Sequence, residues 1–154
     1  MVQKQLLTLF MGVVLMLGII SCGPSLVIQN VDYAHPIESV LEPDSDNMVH
    51  DDRYAIDFSI APILEEEGTT SVDEIRLIRN TAGYYFVTAN GFSNVYVFSP
   101  AESELKLKNT IEFETGLSEP AFNQREDFIE LVDLANGETY RLNHEGIQEE
   151  EDSE

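Results

Sequence analysis

The stretch Tyr84-Tyr85-Phe86-Val87-Thr88-Ala89-Asn90-Gly91-Phe92-Ser93-Asn94-Val95-Tyr96-Val97-Phe98 decides the fold. Two apolar runs, 84–89 and 95–98, flank Asn90-Gly91, a dipeptide suited to the left-handed conformations of tight hairpin turns. Successive residues of a strand point to opposite faces, and here both faces are apolar. Strands of that kind lie inside a sheet and are covered on both sides. The stretch predicts a central hairpin with further layers above and below it.

Strand signals continue in both directions. Residues 72–79 place Ile75 and Leu77 on one face and Glu74, Arg76 and Ile78 on the other, ahead of a turn at Thr81-Ala82-Gly83. Ile56, Phe58 and Ile60 alternate with Ala55, Asp57 and Ser59, the period of a strand with one dry face. Pro62 and Glu65-Glu66-Glu67-Gly68 are expected to end it. Downstream, Leu105 and Leu107 alternate with Glu104, Lys106 and Lys108, then Ile111 and Phe113 with Glu112 and Glu114. Residues 116–124, with Pro120, read as a loop. Asn136-Gly137 between 128–134 and 139–142 is a second hairpin signal. With a first strand at 25–31 the reading is about eight short strands and no amphipathic helix. An all-β fold is expected: a small antiparallel β-meander, sandwich or barrel.

The strand-turn-strand stretch 86–107, with its Asn-Gly turn and Val95-Tyr96-Val97-Phe98-Ser99-Pro100 run, resembles a β-propeller blade. A looser echo at 122–142 follows about 35–40 residues later, near blade length. A closed propeller takes at least four blades, and a chain of this length holds roughly three on that period. The compact meander is therefore the expectation.

Two segments break the strand pattern. Residues 33–52 contain Pro36, Pro43, Asp44, Asp46, Asn47, Asp51 and Asp52 without sustained periodicity, and read as a long acidic loop. Residues 148–154, ending Glu149-Glu150-Glu151-Asp152-Ser153-Glu154, read as a disordered acidic tail.

The chain opens with one cation, Lys4, followed by an apolar run from Leu6 to Ile20. A cationic head with a short apolar core is the composition of an export signal, and the run is shorter than the roughly 18–20 residues of a spanning helix. It exits through Ile19-Ile20-Ser21-Cys22-Gly23, which resembles the lipobox of bacterial lipoproteins. That resemblance implies diacylglycerol on the Cys22 thiol, cleavage before Cys22, and acylation of the new amino group. Two or three acyl chains make membrane attachment effectively permanent. Gly23 after the cysteine is similar to the pattern of lipoproteins sorted to the outer membrane. The expected organisation is a signal peptide at 1–21, one acidic β-rich domain at 22–147, and the tail.

Cleavage of 21 from 154 residues leaves 133, enough for one core without covalent staples. An acylated Cys22, the chain's only cysteine, leaves no disulfide within it. All 29 acidic residues lie after Cys22 against 7 of the 8 basic ones, a mature charge of −22. Such a balance repels the phosphates of nucleic acid and anionic lipid alike, so membrane contact falls to the anchor. It suits either a plain acidic periplasmic domain, a salt-rich habitat or a surface rich in divalent cations.

Chemistry is sparsely signalled. Gly91-Phe92-Ser93-Asn94 begins like a nucleophile elbow but lacks the closing glycine, and reads as a turn. His35, His50 and His144 lie far apart in expected loops and read as surface residues. Asp44, Asp46, Asp51 and Asp52 offer oxygen ligands of the kind calcium takes, without the spacing of an EF-hand loop. Tyr84, Tyr85 and Tyr96 are candidates for a contact surface, glycan stacking included. These readings point to a membrane-anchored, non-enzymatic envelope lipoprotein that binds or supports another envelope protein. The alternative is a calcium- or glycan-binding module of the same envelope.

Overall fold

The computed structural model describes residues 38–102 and 104–149. The expected first strand at 25–31, Cys22 and His35 lie outside the described residues. The fold is all-β and antiparallel, and the described residues form eleven strands in three sheets and one short helix.

A five-stranded sheet has the order β1-β4-β5-β6-β7, formed by Ser39–Leu41, Ile75–Arg79, Tyr85–Ala89, Asn94–Ala101 and Glu104–Glu112. A four-stranded sheet has the order β11-β10-β9-β8, formed by Gly146–Gln148, Glu138–Asn143, Ile129–Asp133 and Pro120–Gln124. The third sheet is the hairpin β2–β3, Met48–Asp51 with Ile56–Ser59. β5 and β6 are the central hairpin, paired Phe86 to Val97, and every residue of β5 is buried. The two apolar faces that the sequence required to be covered are both covered. Ile78, Phe86, Val95, Val97 and Ile111 pack against Phe122, Ile129, Leu131 and Leu142 of the four-stranded sheet. On the opposite face Ile75, Leu77, Tyr85, Val87 and Tyr96 pack with Val49, Ile60, Ile63 and Leu64. Of sandwich and barrel the described residues form a sandwich, because each large sheet keeps two separate edges.

β4 to β7 and β8 to β11 are consecutive four-stranded meanders stacked in the same order, β4 near β8 and β7 near β11. β9 and β10 begin 44 residues after β5 and β6 respectively. The two meanders are a structural repeat, but the echo expected between 86–107 and 122–142 is one strand out of step with it, because 122–142 spans β8 to β10, the counterparts of β4 to β6. The four units of a closed propeller are not present among the described residues. Glu38 joins the layers: Arg76 Nη1 donates to its Oε2 at 3.1 Å, and the Phe122 amide of β8 donates to its Oε1 at 2.9 Å.

Four sequence expectations are corrected. The acidic stretch 33–52 is not one loop but contains β1 and β2. Residues 116–124 contain β8, with Pro120 at its first position, where a missing N–H is tolerated. Gln148 belongs to β11 rather than to a tail. After β3, Ala61–Glu66 forms a helix, α1. Pro62 fits its first turn, where helical amides lack intrahelical acceptors. The stop is a Schellman turn: Gly68 adopts φ +69°, its amide donates to Glu65 O, and the Thr69 amide donates to Leu64 O.

Candidate functional site

The end of α1 meets the β5–β6 turn at Glu67. The Ser93 amide donates to Glu67 Oε2 at 2.7 Å, while Asn94 Nδ2 and the Tyr96 hydroxyl each donate to Oε1 at 2.9 Å. Burial and the Glu67 carboxylate push the Tyr96 hydroxyl well above the ordinary tyrosine range. Tyr96 therefore keeps its proton and serves as a fixed donor. Beside this joint lies a cleft of about 380 Å³, bounded by Glu67 and Thr69, by Asp73 and Glu74, and by Asn90 and Gly91. Gly91 opens the wall at φ +81°, a left-handed turn position. Glu74 accepts from Arg76 Nη2 at 2.7 Å and, like Glu67, is half-buried, so Asp73 is the one exposed carboxylate at the rim. An open, acidic, polar-walled cleft attracts a cationic or hydroxylated group and offers no activated nucleophile.

The residues singled out from the sequence are dispersed by the fold. Tyr85 (6 % exposed) and Tyr96 (1 % exposed) are core residues, not a contact surface. Tyr96 could be buried because Glu67 satisfies its hydroxyl; Tyr85 packs edge-on against Tyr54, with Arg79 over its ring. Tyr84 is half-buried and stacks on His144, ring centroids 4.2 Å apart and planes parallel within 1°.

Two of the four acidic candidates hold turns. Asp44 Oδ1 accepts the amides of Asp46 and Met48, both at 2.9 Å. Asp51 is buried and its Oδ1 accepts the amides of Arg53 and Tyr54. Asp52 pairs with His50 Nε2 at 2.8 Å, and Asp57 takes the other ring nitrogen. Hydrogen bonds to Asp57 and then Asp52 raise the His50 pKa, so the exposed imidazole tends towards its charged form. Asp46 remains exposed. Among the described residues no group of three or more His, Cys, Asp or Glu side chains gathers as a metal site.

Three carboxylates escaped the sequence reading because their partners are remote in the chain. Glu67 looked like part of a strand-ending acidic run, and no local pattern announces an acceptor for residues 93–96. Glu38 is drawn upwards in pKa by burial, against the downward pull of the Phe122 amide and Arg76. Asp133 accepts the amides of Ser118, Glu119 and Ala135. Burial raises its pKa, and those three donors outweigh burial to leave it below the ordinary aspartate value. No protein-family model, curated protein or solved structure matches the chain.

Proposed function

We propose that the chain is a lipid-anchored protein of the bacterial envelope, a binding or accessory subunit for another envelope protein rather than an enzyme. The observation that carries this reading is the exit of the leader, Ile19-Ile20-Ser21-Cys22-Gly23, behind Lys4 and an apolar core without charged residues. The described β-domain supports it in kind. Its inner carboxylates hold turns and sheet junctions together, as in a scaffold that presents surface. The outer membrane is the proposed location, through acyl chains on Cys22.

The test is Cys22→Ala. The variant is expected to keep its fold, to leave the membrane fraction, and to stop incorporating labelled palmitate. A variant that still sediments with membranes and still takes up the label overturns the anchor. The partner is sought by crosslinking in intact envelopes, where one stoichiometric neighbour is expected. A second reading, a calcium- or glycan-binding module, is favoured by the cleft, whose rim carries Asp73 with the polar groups of Thr69 and Asn90.

A further inference from the structure

A second pocket opens between the turn of the β2–β3 hairpin and the β6–β7 turn, at the opposite end of β5 from the cleft. Its volume is about 260 Å³, below the roughly 300–1,000 Å³ of small-molecule sites, which suits a single side chain. The floor is apolar: Ile56, Tyr85 and Leu105 belong to the core layer under the hairpin, and Pro100 and Ala101 stand beside them. Three carboxylates line the same pocket. Asp57 is bonded to His50, and Glu104 Oε1 lies 3.2 Å from Lys106 Nζ. Glu102 is exposed and makes no hydrogen bond or ion pair among the described residues. Arg79 covers the Tyr85 ring from β4, on the other side of β5, and does not line the pocket.

Both turns that wall the pocket carry a non-glycine residue in the left-handed region, Ala55 at φ +52° and Glu102 at φ +45°. Ala101 pairs with Glu104, so Glu102 is the first central residue of a two-residue hairpin turn. Such positions favour Asn, Asp or Gly, and glutamate takes this one at a conformational cost. No partner of the carboxylate within the described chain offsets that cost. Backbone strain of this kind collects where a group is held for use.

We propose that this pocket receives one basic side chain, lysine or arginine, from a protein partner. The aliphatic stem lies over Tyr85, Leu105 and Pro100, and the charged head meets Glu102. An apolar floor beneath an anionic mouth matches a side chain that is apolar along its stem and cationic at its tip. A bare inorganic cation gains nothing from the floor, and an aliphatic side chain gains nothing from the carboxylate. The acidic surface around the pocket draws a basic partner towards it. That the partner is an envelope protein rests on the accessory-subunit reading; the preference of the pocket for a basic side chain does not.

The experiment follows the amide NMR signals of the isotope-labelled full chain in mild detergent while N-acetyl-lysine amide or N-acetyl-arginine amide is added. A saturable shift confined to the pocket, at Ala55, Ile56, Tyr85 and Ala101, is expected. N-acetyl-norleucine amide has the stem without the charge, and ammonium chloride the charge without the stem; each should bind about threefold or more weakly. Glu102→Gln should weaken the basic probes by a similar factor, and Ala101→Phe, which fills the pocket, should abolish the local shifts. Should Ala101→Phe fail to fold, Glu102→Gln at its exposed turn carries the test. The proposal is overturned by an absence of shifts, by shifts spread over carboxylates across the surface, by norleucine binding as well as lysine, or by Glu102→Gln without effect. These probes address the pocket alone, so their failure leaves the Cys22 and crosslinking tests standing, and a missing crosslinked neighbour leaves the pocket standing.

Discussion

Asp133 shows how this molecule uses its acids. The side chain is 1 % exposed at the end of β9, yet both its oxygens are occupied by amides of two separate segments. It thereby holds the connection between β7 and β8 against the β9–β10 turn. Charge-assisted bonds to a carboxylate are stronger than neutral ones, so Asp133→Asn should lower unfolding free energy by about 1–3 kcal/mol at pH 7. Its pH dependence follows from a folded pKa below the ordinary aspartate value of 3.8. The contribution is fully present above that value and is lost as pH falls through the lower, folded one. Urea titrations of native and variant protein should therefore differ most near neutrality and converge in strong acid; a gap independent of pH would assign the loss to packing. None of this was legible in the sequence, where Asp133 is one acid among 29. Tyr85 and Tyr96 were misread for the opposite reason. A hydroxyl argues for the surface until its partner is known, and Glu67 lies 29 residues away from Tyr96.

Elements were legible in proportion to their length and to the purity of their pattern. β5 and β6 could be assigned because an unbroken apolar run bounded by Asn90-Gly91 admits few alternatives, and the hairpin at Asn136-Gly137 was as clear. β2 was hidden because its inward residues are Val49 and Asp51, and a buried carboxylate breaks the apolar alternation. α1 has six residues, too few for a period of 3.6 to declare itself, and its proline and the Glu65-Glu66-Glu67 run across its end looked like punctuation. The double cover of β5 makes a prediction. Phe86→Ala opens a cavity towards the four-stranded sheet, and Val87→Ala opens one towards α1 and β2. These adjacent substitutions should cost about 3–5 and about 1–3 kcal/mol respectively. On a sheet with one wet face, one of two neighbours would be nearly neutral. Measuring both by denaturant unfolding separates the cases, and a loss below about 0.5 kcal/mol at either position would remove one of the two layers.

At the scale of the whole molecule, charge sets the terms on which the layers hold. With 29 acidic and 8 basic residues, long-range repulsion acts on the compact state far more than on the expanded chain. Ion pairs relieve it locally, at Glu38–Arg76–Glu74, Glu104–Lys106, Arg125–Glu130 and, where His50 is protonated, Asp52–His50–Asp57, and leave most carboxylates facing water. Screening should therefore stabilise the protein. Between about 10 mM and about 0.5 M sodium chloride the Debye length falls from roughly 30 Å to a few ångströms, and the thermal midpoint should rise by several degrees. Magnesium and calcium at equal ionic strength should give similar curves if the carboxylates act only as a diffuse field. A bound calcium ion behaves differently, because a ligand held by the folded state alone adds stabilisation that grows with the logarithm of its concentration beyond its dissociation constant. A midpoint that climbs further with calcium than with magnesium would assign part of this acidity to a site. Loss of the increment in Asp73→Asn would place that site at the cleft, and superimposable curves would leave the acidity to screening alone.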